Sequence, residues 1–360
     1  MEFSRRDTKI IKGVAICLML YHHLFAYPNK VLDGNVFISL YTFGETSLST
    51  YIGQFGRICL PMFVFLSGYG SYLSSLKSSK LQSMIGKQIL GVYKHVWMVF
   101  FLFIPVSVLF FGMRPDPLQR ELIYNFLGLS YSFNKEWWFI VPYVLLLLVF
   151  PAVKRFLERK NAILYSDLFI IALLNAFVVY VLPELVKLPV LVPLCASVFW
   201  EHIKVMLGLL PGFMLGCAFA RHDILNEVKR RYAGRLLWCI AALIGFAALF
   251  YIHLYNYMFY DFINTAVFIV CIVILLPTKP GQWAGKVFEI LGEESTSMWL
   301  THSFFCYYWC QKLVFAPKYS FLIFLWLLVL SFTSAKLIRF VYKYLGLLYN
   351  KMNKTMKKSV

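Results

Sequence analysis

Four ionisable side chains within apolar stretches of the chain are the first candidates for chemistry. Lys12, His22 and His23 belong to the first stretch, residues 10–27, and His302 belongs to a later one. Because an α-helix turns about 100° per residue, the eleven steps from Lys12 to His23 bring both side chains to nearly the same face. The helical rise separates them by about 16 Å, roughly half of a bilayer core. Ionisable side chains at such depths are costly, so we treat them as candidates for chemistry.

The chemistry that these residues suggest is proton transfer from a hydroxyl. Histidine titrates near a pH of about 6.5, so a neutral imidazole can accept such a proton under physiological conditions. His23, on the Lys12 face, is the first candidate for the base. His22 projects about 80° away from Lys12, and we assign it to substrate binding. A packing histidine bonded to a nearby carbonyl is the structural alternative for both.

His302 lies in a hydroxyl-rich part of its apolar stretch, which also contains Ser295, Thr296, Ser297, Thr301 and Ser303. We include His302 among the catalytic candidates. Hydroxyl groups also bond across membrane helices, so helix packing is the alternative for this whole segment.

Four further side chains are candidates for substrate binding. Arg57 precedes an apolar run that contains Ser67, and Glu136 precedes two tryptophans, of which Trp138 is the second. A carboxylate at Glu136 could bind a sugar hydroxyl or orient an imidazole. The structural alternatives are an arginine that reaches the membrane interface, close helix packing at Ser67, and an interfacial aromatic belt.

The composition indicates which elements position these residues. The chain is 60% apolar and only 14% charged, whereas a soluble domain carries about 25% charged residues. Mean hydropathy is +0.69. The net charge of +18 would suit a nucleic-acid-binding protein, but the basic residues lie in short loops between apolar runs. That placement is typical of membrane topology, so we expect no nucleic-acid partner.

The predicted fold is an all-α polytopic membrane helix bundle. Ten apolar segments are long enough to cross a bilayer, at roughly 10–27, 56–75, 92–112, 137–153, 166–184, 203–220, 236–255, 261–277, 295–314 and 320–342. With these spans, about three quarters of the 35 lysines and arginines fall on one side of the membrane. Both termini are therefore predicted to be cytoplasmic.

We divide the chain into a transmembrane domain, residues 1–345, and a basic cytoplasmic tail, residues 346–360. The tail lysines are expected to contact anionic lipid. The chain has 8 cysteines but no CxxC pair, so we predict no metal site and no disulfide framework. The predicted location is the plasma membrane, which the chain crosses many times.

Four short motifs in order resemble acyltransferase family three, a family of integral membrane proteins that acylate cell-envelope carbohydrates and some lipids. The first is a basic residue followed, after ten others, by histidine, here Lys12 and His23. The others match the stretch 60–68, which ends in Ser-Gly, the pair Trp138-Phe139, and the stretch 299–302, which ends in His302. The resemblance extends over nearly the whole chain.

This resemblance implies transfer of an acyl group, commonly acetyl from acetyl-CoA, to a hydroxyl of a glycan or a lipid-linked sugar. It also implies that His23 is the catalytic histidine and Lys12 its partner. Many members carry two arginines, three residues apart, before the third span. Here Gln88 and Gly91 stand at those positions, between Lys87 and Lys94, so we predict that these two lysines bind the donor.

Two other functions remain open on the sequence alone. A multi-pass transporter or flippase for an envelope precursor would also have intramembrane histidines and kinked helices. A ligand-sensing membrane protein is less favoured, because no signalling domain accompanies the apolar segments.

Overall fold

The computed structural model describes residues 2–32, 36–160, 163–195 and 197–356, without the side chains of 194, 195, 198, 255–260 and 348–356. The chain forms a helix bundle, as predicted. The first half contains α1 Arg5–Phe25, α2 Leu48–Phe55, α3 Cys59–Leu76, α4 Leu81–Phe110, α5 Leu118–Leu127, α6 Ile140–Leu157, α7 Leu164–Ala176 and α8 Leu182–Leu185. The second half contains α9 Val192–Cys195, α10 Val198–Arg221, α11 Ile224–Arg231, α12 Leu236–Leu275, α13 Lys279–Ser303, α14 Gln311–Phe315 and α15 Ser320–Met356.

Short segments connect or extend these helices. A hairpin before α2 pairs strand β1, Thr42–Phe43, with strand β2, Thr46–Ser47. Three 3₁₀ turns cover Pro28–Lys30, Gly56–Ile58 and Lys135–Phe139. Two π-helical turns extend α7 and α13, at Phe177–Val181 and Phe304–Trp309.

Within the described residues, seven helical segments are long and apolar enough to cross a membrane: Leu48–Leu76, Leu81–Phe110, Lys135–Leu157, Leu164–Leu185, Phe199–Arg221, Leu236–Leu254 and Ser320–Leu347. The bent pair Asp261–Leu275 and Lys279–Trp309 makes an eighth when it is counted as one span. The chain is thus a multi-pass membrane protein. The predicted number of ten spans also includes α1 and counts the two arms of the bent pair separately. This number stays a prediction.

The long helix α12 contains a reversal of the chain. Cys239 Sγ lies 4.0 Å from the carbonyl oxygen of Ile274, and the rings of Phe246 and Phe268 are 4.9 Å apart. In a straight helix, Cys239 and Ile274 would be about 50 Å apart. The helix therefore folds back on itself between Leu254 and Asp261 and forms two antiparallel arms. This agrees with the separate segments 236–255 and 261–277 of the sequence analysis.

Glycines bring two pairs of helices into close contact. A Cβ atom on Gly13 of α1 would lie 1.9 Å from the carbonyl oxygen of Phe288 in α13, and one on Gly292 would lie 1.8 Å from that of Lys9. Between α3 and α10, a Cβ atom on Gly68 would lie 2.0 Å from the carbonyl oxygen of Phe213. Only glycine permits such backbone contacts, which are common between membrane helices.

Ion pairs align α1 in parallel with α13. Ser4 and Asp7 form a capping box at the start of α1. In the first and second turns of the helix, Arg6 bonds Glu289 at 2.8 Å and Lys9 bonds Glu293 at 2.6 Å. At the other end, the rings of His23 and His302 are 4.7 Å apart. The parallel register therefore places the two helices side by side from Arg6 to His23 of α1.

Trp137 is not interfacial: it is 1% exposed, and its Nε1 donates to the carbonyl oxygen of Leu300 at 3.0 Å. The predicted tail begins within α15, which continues to Met356. The described part of the chain excludes the side chains of the tail from residue 348 and all of residues 357–360.

Candidate active site

A cavity of about 430 Å³ follows α1 through the bundle. Its walls come mainly from α1, the α2–α3 segment, the 135–139 turn with α6, and α13. It has two ends, which we name by their residues. The lysine end consists of Lys12, Ser67, Tyr143, Ser295 and Thr296, and the histidine end consists of His22, His23, Tyr27, Lys30, Arg57, Glu136 and Trp138.

His23 lies at the centre of the histidine end. Its side chain is 12% exposed, and its Nε2 lies 3.6 Å from Oε2 of Glu136. Its Nδ1 is 3.2 Å from the hydroxyl of Tyr307, which in turn donates to the carbonyl oxygen of His23 at 2.6 Å. Both ring nitrogens thus face polar groups, and the Nε2 side faces a carboxylate on the cavity wall.

His22 also lines the cavity, but it is anchored differently. Its Nδ1 donates to the carbonyl oxygen of Gly53 at 2.8 Å, since a carbonyl can only accept. The ring packs edge-on against His23, with centroids 5.2 Å apart. The structural alternative for His22, a histidine bonded to a nearby carbonyl, therefore applies, although the residue still forms part of the wall.

His302 lies behind His23, away from the cavity wall. The residue is fully buried, and its Nδ1 donates to the carbonyl oxygen of Trp299 at 2.8 Å. Its Nε2 has no hydrogen-bond partner within the described part of the chain. His302 can therefore contact the ring of His23, but not a substrate in the cavity directly.

Glu136 lies between His23 and Lys30 at the histidine end. The 3₁₀ turn that carries it is capped by Asn134, whose side chain accepts from the Glu136 main-chain nitrogen at 3.0 Å. Its Oε1 is 4.0 Å from Nζ of Lys30, and Lys30 lies over the rings of Tyr27 and Tyr307. The carboxylate is thus held between a lysine and the candidate base.

Lys12 is the cation of the lysine end. In contrast to Arg6 and Lys9, it makes no hydrogen bond or ion pair with any residue that the structure describes. Hydroxyl-bearing residues line the same cavity, among them Ser295 and Thr296 of α13, which runs parallel to α1. An unpaired ammonium among hydroxyls is suited to an anionic or strongly polar ligand.

The other predicted substrate-binding residues also reach the cavity. Ser67 lines the lysine end, where its Oγ donates to the hydroxyl of Tyr143 at 2.9 Å. Trp138 and Arg57 line the histidine end. The cavity therefore combines predicted residues from α1, α3 and the turn before α6.

Lys87 and Lys94, predicted to bind the donor, are not on the cavity wall. Both side chains are exposed on α4, whose contribution to the wall is Val92. Lys94 follows Val92 by two positions, so these side chains point about 160° apart on the helix. Lys87 shares the Lys94 face, since seven residues make nearly two turns. The structure thus gives no support to their role in this cavity.

The sequence analysis missed three residues of the site. Tyr307 contacts His23, Lys30 lies beside Glu136, and Tyr143 bonds Ser67. Lys30 was visible only as a charge in a loop. Tyr143 lies in an apolar stretch, where a tyrosine has no distinguishing spacing. Only contacts across helices reveal these three.

The model of acyltransferase family 3, described as an acyltransferase domain, matches residues 8–339. The match covers nearly the whole chain and includes every residue of the cavity wall. The chain therefore belongs to this family, and the protein is a membrane acyltransferase. The resemblance inferred from four short motifs is confirmed. Comparisons with curated proteins and with solved structures give no match.

Proposed function

We propose that this acyltransferase moves an acetyl group from cytosolic acetyl-CoA to a hydroxyl of a cell-envelope or lipid-linked polysaccharide. One observation carries the proposal: a single cavity passes His23, with a cation among hydroxyls at one end and a carboxylate beside the imidazole at the other. Such a cavity can hold a donor and an acceptor on either side of one base. The protein then lies in the plasma membrane, with its lysine end toward the cytoplasm.

The donor enters at the lysine end. Acetyl-CoA carries phosphates, which an unpaired ammonium binds well. Lys12 is about 16 Å from His23 along α1, so a ligand held there must extend along the helix to bring its thioester to the imidazole. The hydroxyls of Ser67 and Tyr143 lie along that path and offer hydrogen bonds to the polar groups of an extended donor.

The acceptor enters at the histidine end. Tyr27 and Trp138 provide aromatic faces there, while Arg57, Lys30 and Glu136 provide polar groups suited to sugar hydroxyls. This end is also half open, since Tyr27 is 40% exposed and the Lys30 side chain is 47% exposed. A long glycan can therefore place one sugar against His23 and leave the rest outside.

In the reaction, Nε2 of His23 takes the proton of the acceptor hydroxyl while the oxygen attacks the thioester carbonyl carbon. The tetrahedral intermediate collapses, the carbon–sulfur bond breaks, and the thiolate of CoA takes the proton from the imidazolium. The Glu136 carboxylate, 3.6 Å from Nε2, stabilises the imidazolium while it exists. Attack by Nε2 on the thioester, with an acetyl-histidine intermediate, is the covalent alternative.

The test is an assay of acetyl transfer by the protein in lipid nanodiscs. Labelled acetyl-CoA is supplied with lipid-linked glycans, and alkali-labile label on the glycan is measured. We expect His23→Gln to reduce the rate by about 10²- to 10⁴-fold, the usual contribution of a general base. His95→Gln is the matched control, because His95 lies outside the cavity wall and should keep the wild-type rate.

Two results would contradict the proposal. The first is transfer by His23→Gln at the wild-type rate. The second is movement of the glycan lipid across proteoliposomes with no ester formed, which would favour a transporter or flippase.

A further inference from the structure

Tyr307 contacts His23 at two points at once. Its hydroxyl lies 2.6 Å from the main-chain carbonyl oxygen of His23 and 3.2 Å from the ring Nδ1 of the same residue. The tyrosine ring packs edge-on against the imidazole, with centroids 5.9 Å apart. Tyr307 is not part of the cavity wall, so it can act on a substrate only through His23.

The single proton of the Tyr307 hydroxyl decides which group donates in each of these two contacts. A carbonyl oxygen can only accept a hydrogen bond, and a tyrosine hydroxyl has one proton to donate. The shorter contact of 2.6 Å to the carbonyl therefore uses that proton. The hydroxyl oxygen then meets Nδ1 with a lone pair, so Nδ1 must carry a hydrogen to form the second bond.

We propose that Tyr307 is a positioning residue that holds His23 in the tautomer with hydrogen on Nδ1. In the neutral ring this leaves Nε2 without a hydrogen and able to accept a proton from the acceptor hydroxyl. The tautomer follows from the two Tyr307 contacts, because Oε2 of Glu136, 3.6 Å from Nε2, lies beyond hydrogen-bond distance. Its effect on the rate rests on the proposed function.

This bond also persists when His23 takes up a proton. In the imidazolium both nitrogens carry hydrogen, so Nδ1 still donates to the Tyr307 oxygen. A tyrosine that donated to Nδ1 would lose its bond at that moment. The arrangement therefore supports the base before and after proton transfer, and no group has to rotate.

A π-helical turn puts Tyr307 in this place. In a regular α-helix, five residues after His302 would turn the side chain about 140° away from it. The wider turn at Phe304–Trp309 instead brings both His302 and Tyr307 to the ring of His23. Gln311 fixes the end of this turn, because its Nε2 donates to the carbonyl oxygens of Cys306 and Lys30. Single π turns inside helices are frequent at functional sites.

The test combines kinetics with nitrogen NMR of the protein labelled with ¹⁵N-histidine. The His23 signal is assigned by its loss in His23→Gln. In the wild type we expect hydrogen on Nδ1 of His23. In Tyr307→Phe we expect a mixture of tautomers and a fall in kcat of about 10- to 100-fold, with the KM for acetyl-CoA unchanged.

Tyr93→Phe is the matched control. The Tyr93 hydroxyl also donates to a main-chain carbonyl, that of Leu127 at 2.7 Å, but lies away from the cavity wall. This variant should keep both kcat and the His23 signal of the wild type.

Hydrogen on Nε2 of His23 in the wild type overturns the proposal, whether or not Tyr307→Phe folds. A Tyr307→Phe protein that keeps both the kcat and the His23 tautomer overturns it as well. If the wild type transfers no acetyl group but Tyr307→Phe still shifts the tautomer, the role of Tyr307 is upheld, and only the proposed function fails.

Discussion

The two ends of the cavity differ in how their charges are arranged. At the histidine end, His23 meets a carboxylate, a tyrosine hydroxyl and two more imidazoles. At the lysine end, Lys12 shares the cavity wall with hydroxyl-bearing residues and makes no ion pair with the described residues. Coupled titratable groups are suited to moving a proton, and a single unpaired cation is suited to holding an anion. The histidine end is therefore suited to the chemical step and the lysine end to binding a ligand, and both ends lie along α1.

The neighbours of Lys12 show how the lysine end keeps its charge available. Arg6 and Lys9, which precede it on α1, are paired with Glu289 and Glu293 of α13. One turn further along α13, Ser295 and Thr296 take the place of glutamates. The two helices therefore pair their charges up to the cavity and leave the next cation for a ligand.

Among the variants that test the difference between the two ends, Glu136→Gln is expected to have the largest effect on the rate. The amide keeps the shape of the side chain but removes the negative charge near Nε2 of His23. We expect kcat to fall by about 10- to 100-fold, since each 1.4 kcal/mol of lost stabilisation costs about tenfold. The KM for acetyl-CoA should stay within twofold, because the donor binds at the other end. A selective rise in that KM would contradict the separation of roles.

Replacement of Lys12 by Met should produce the opposite kinetic pattern. The variant keeps the length of the side chain but loses the ammonium. Loss of a hydrogen bond to a charged group costs about 1.5–3 kcal/mol, so we expect the KM for acetyl-CoA to rise about tenfold or more. The kcat at saturating donor should change little.

Lys12→Arg is the companion variant for this test. It keeps the charge and should restore the KM to within a few-fold of the wild type. If Lys12→Met instead lowered kcat and left KM unchanged, Lys12 would belong to the chemistry and the two ends would not be distinct.

Much of this site was predictable, because helical periodicity is reliable for residues on one helix. The spacing of Lys12 and His23 placed both on one face of α1, and both line the cavity. The candidates Glu136 and Trp138 also reach the wall, although they were inferred from their residue types at the start of an apolar run. The all-α membrane bundle followed from the composition and the apolar segments.

The missed features depend on contacts between helices or on irregular turns. Tyr307 reaches His23 only through a π-helical turn, which a regular 3.6-residue period cannot predict. The span predicted at residues 10–27 stays a prediction, because the first turns of α1 carry charges, which α13 and α11 neutralise, and α1 is not among the helices counted as apolar enough to cross. Lys87 and Lys94 were chosen for their charge and their position in the chain, without regard to the helix face.

The smallest expected effect comes from Lys87 and Lys94 themselves. Both side chains are exposed on the side of α4 away from Val92, the residue of that helix on the cavity wall. We expect the double replacement by Met to change the KM for acetyl-CoA by less than about twofold at 0.15 M salt, since exposed charges are screened there. A rise comparable to that of Lys12→Met would restore the predicted donor role. It would also mean that acetyl-CoA extends over the surface of α4 before it enters the cavity, and that the lysine end is only the inner part of a longer donor site.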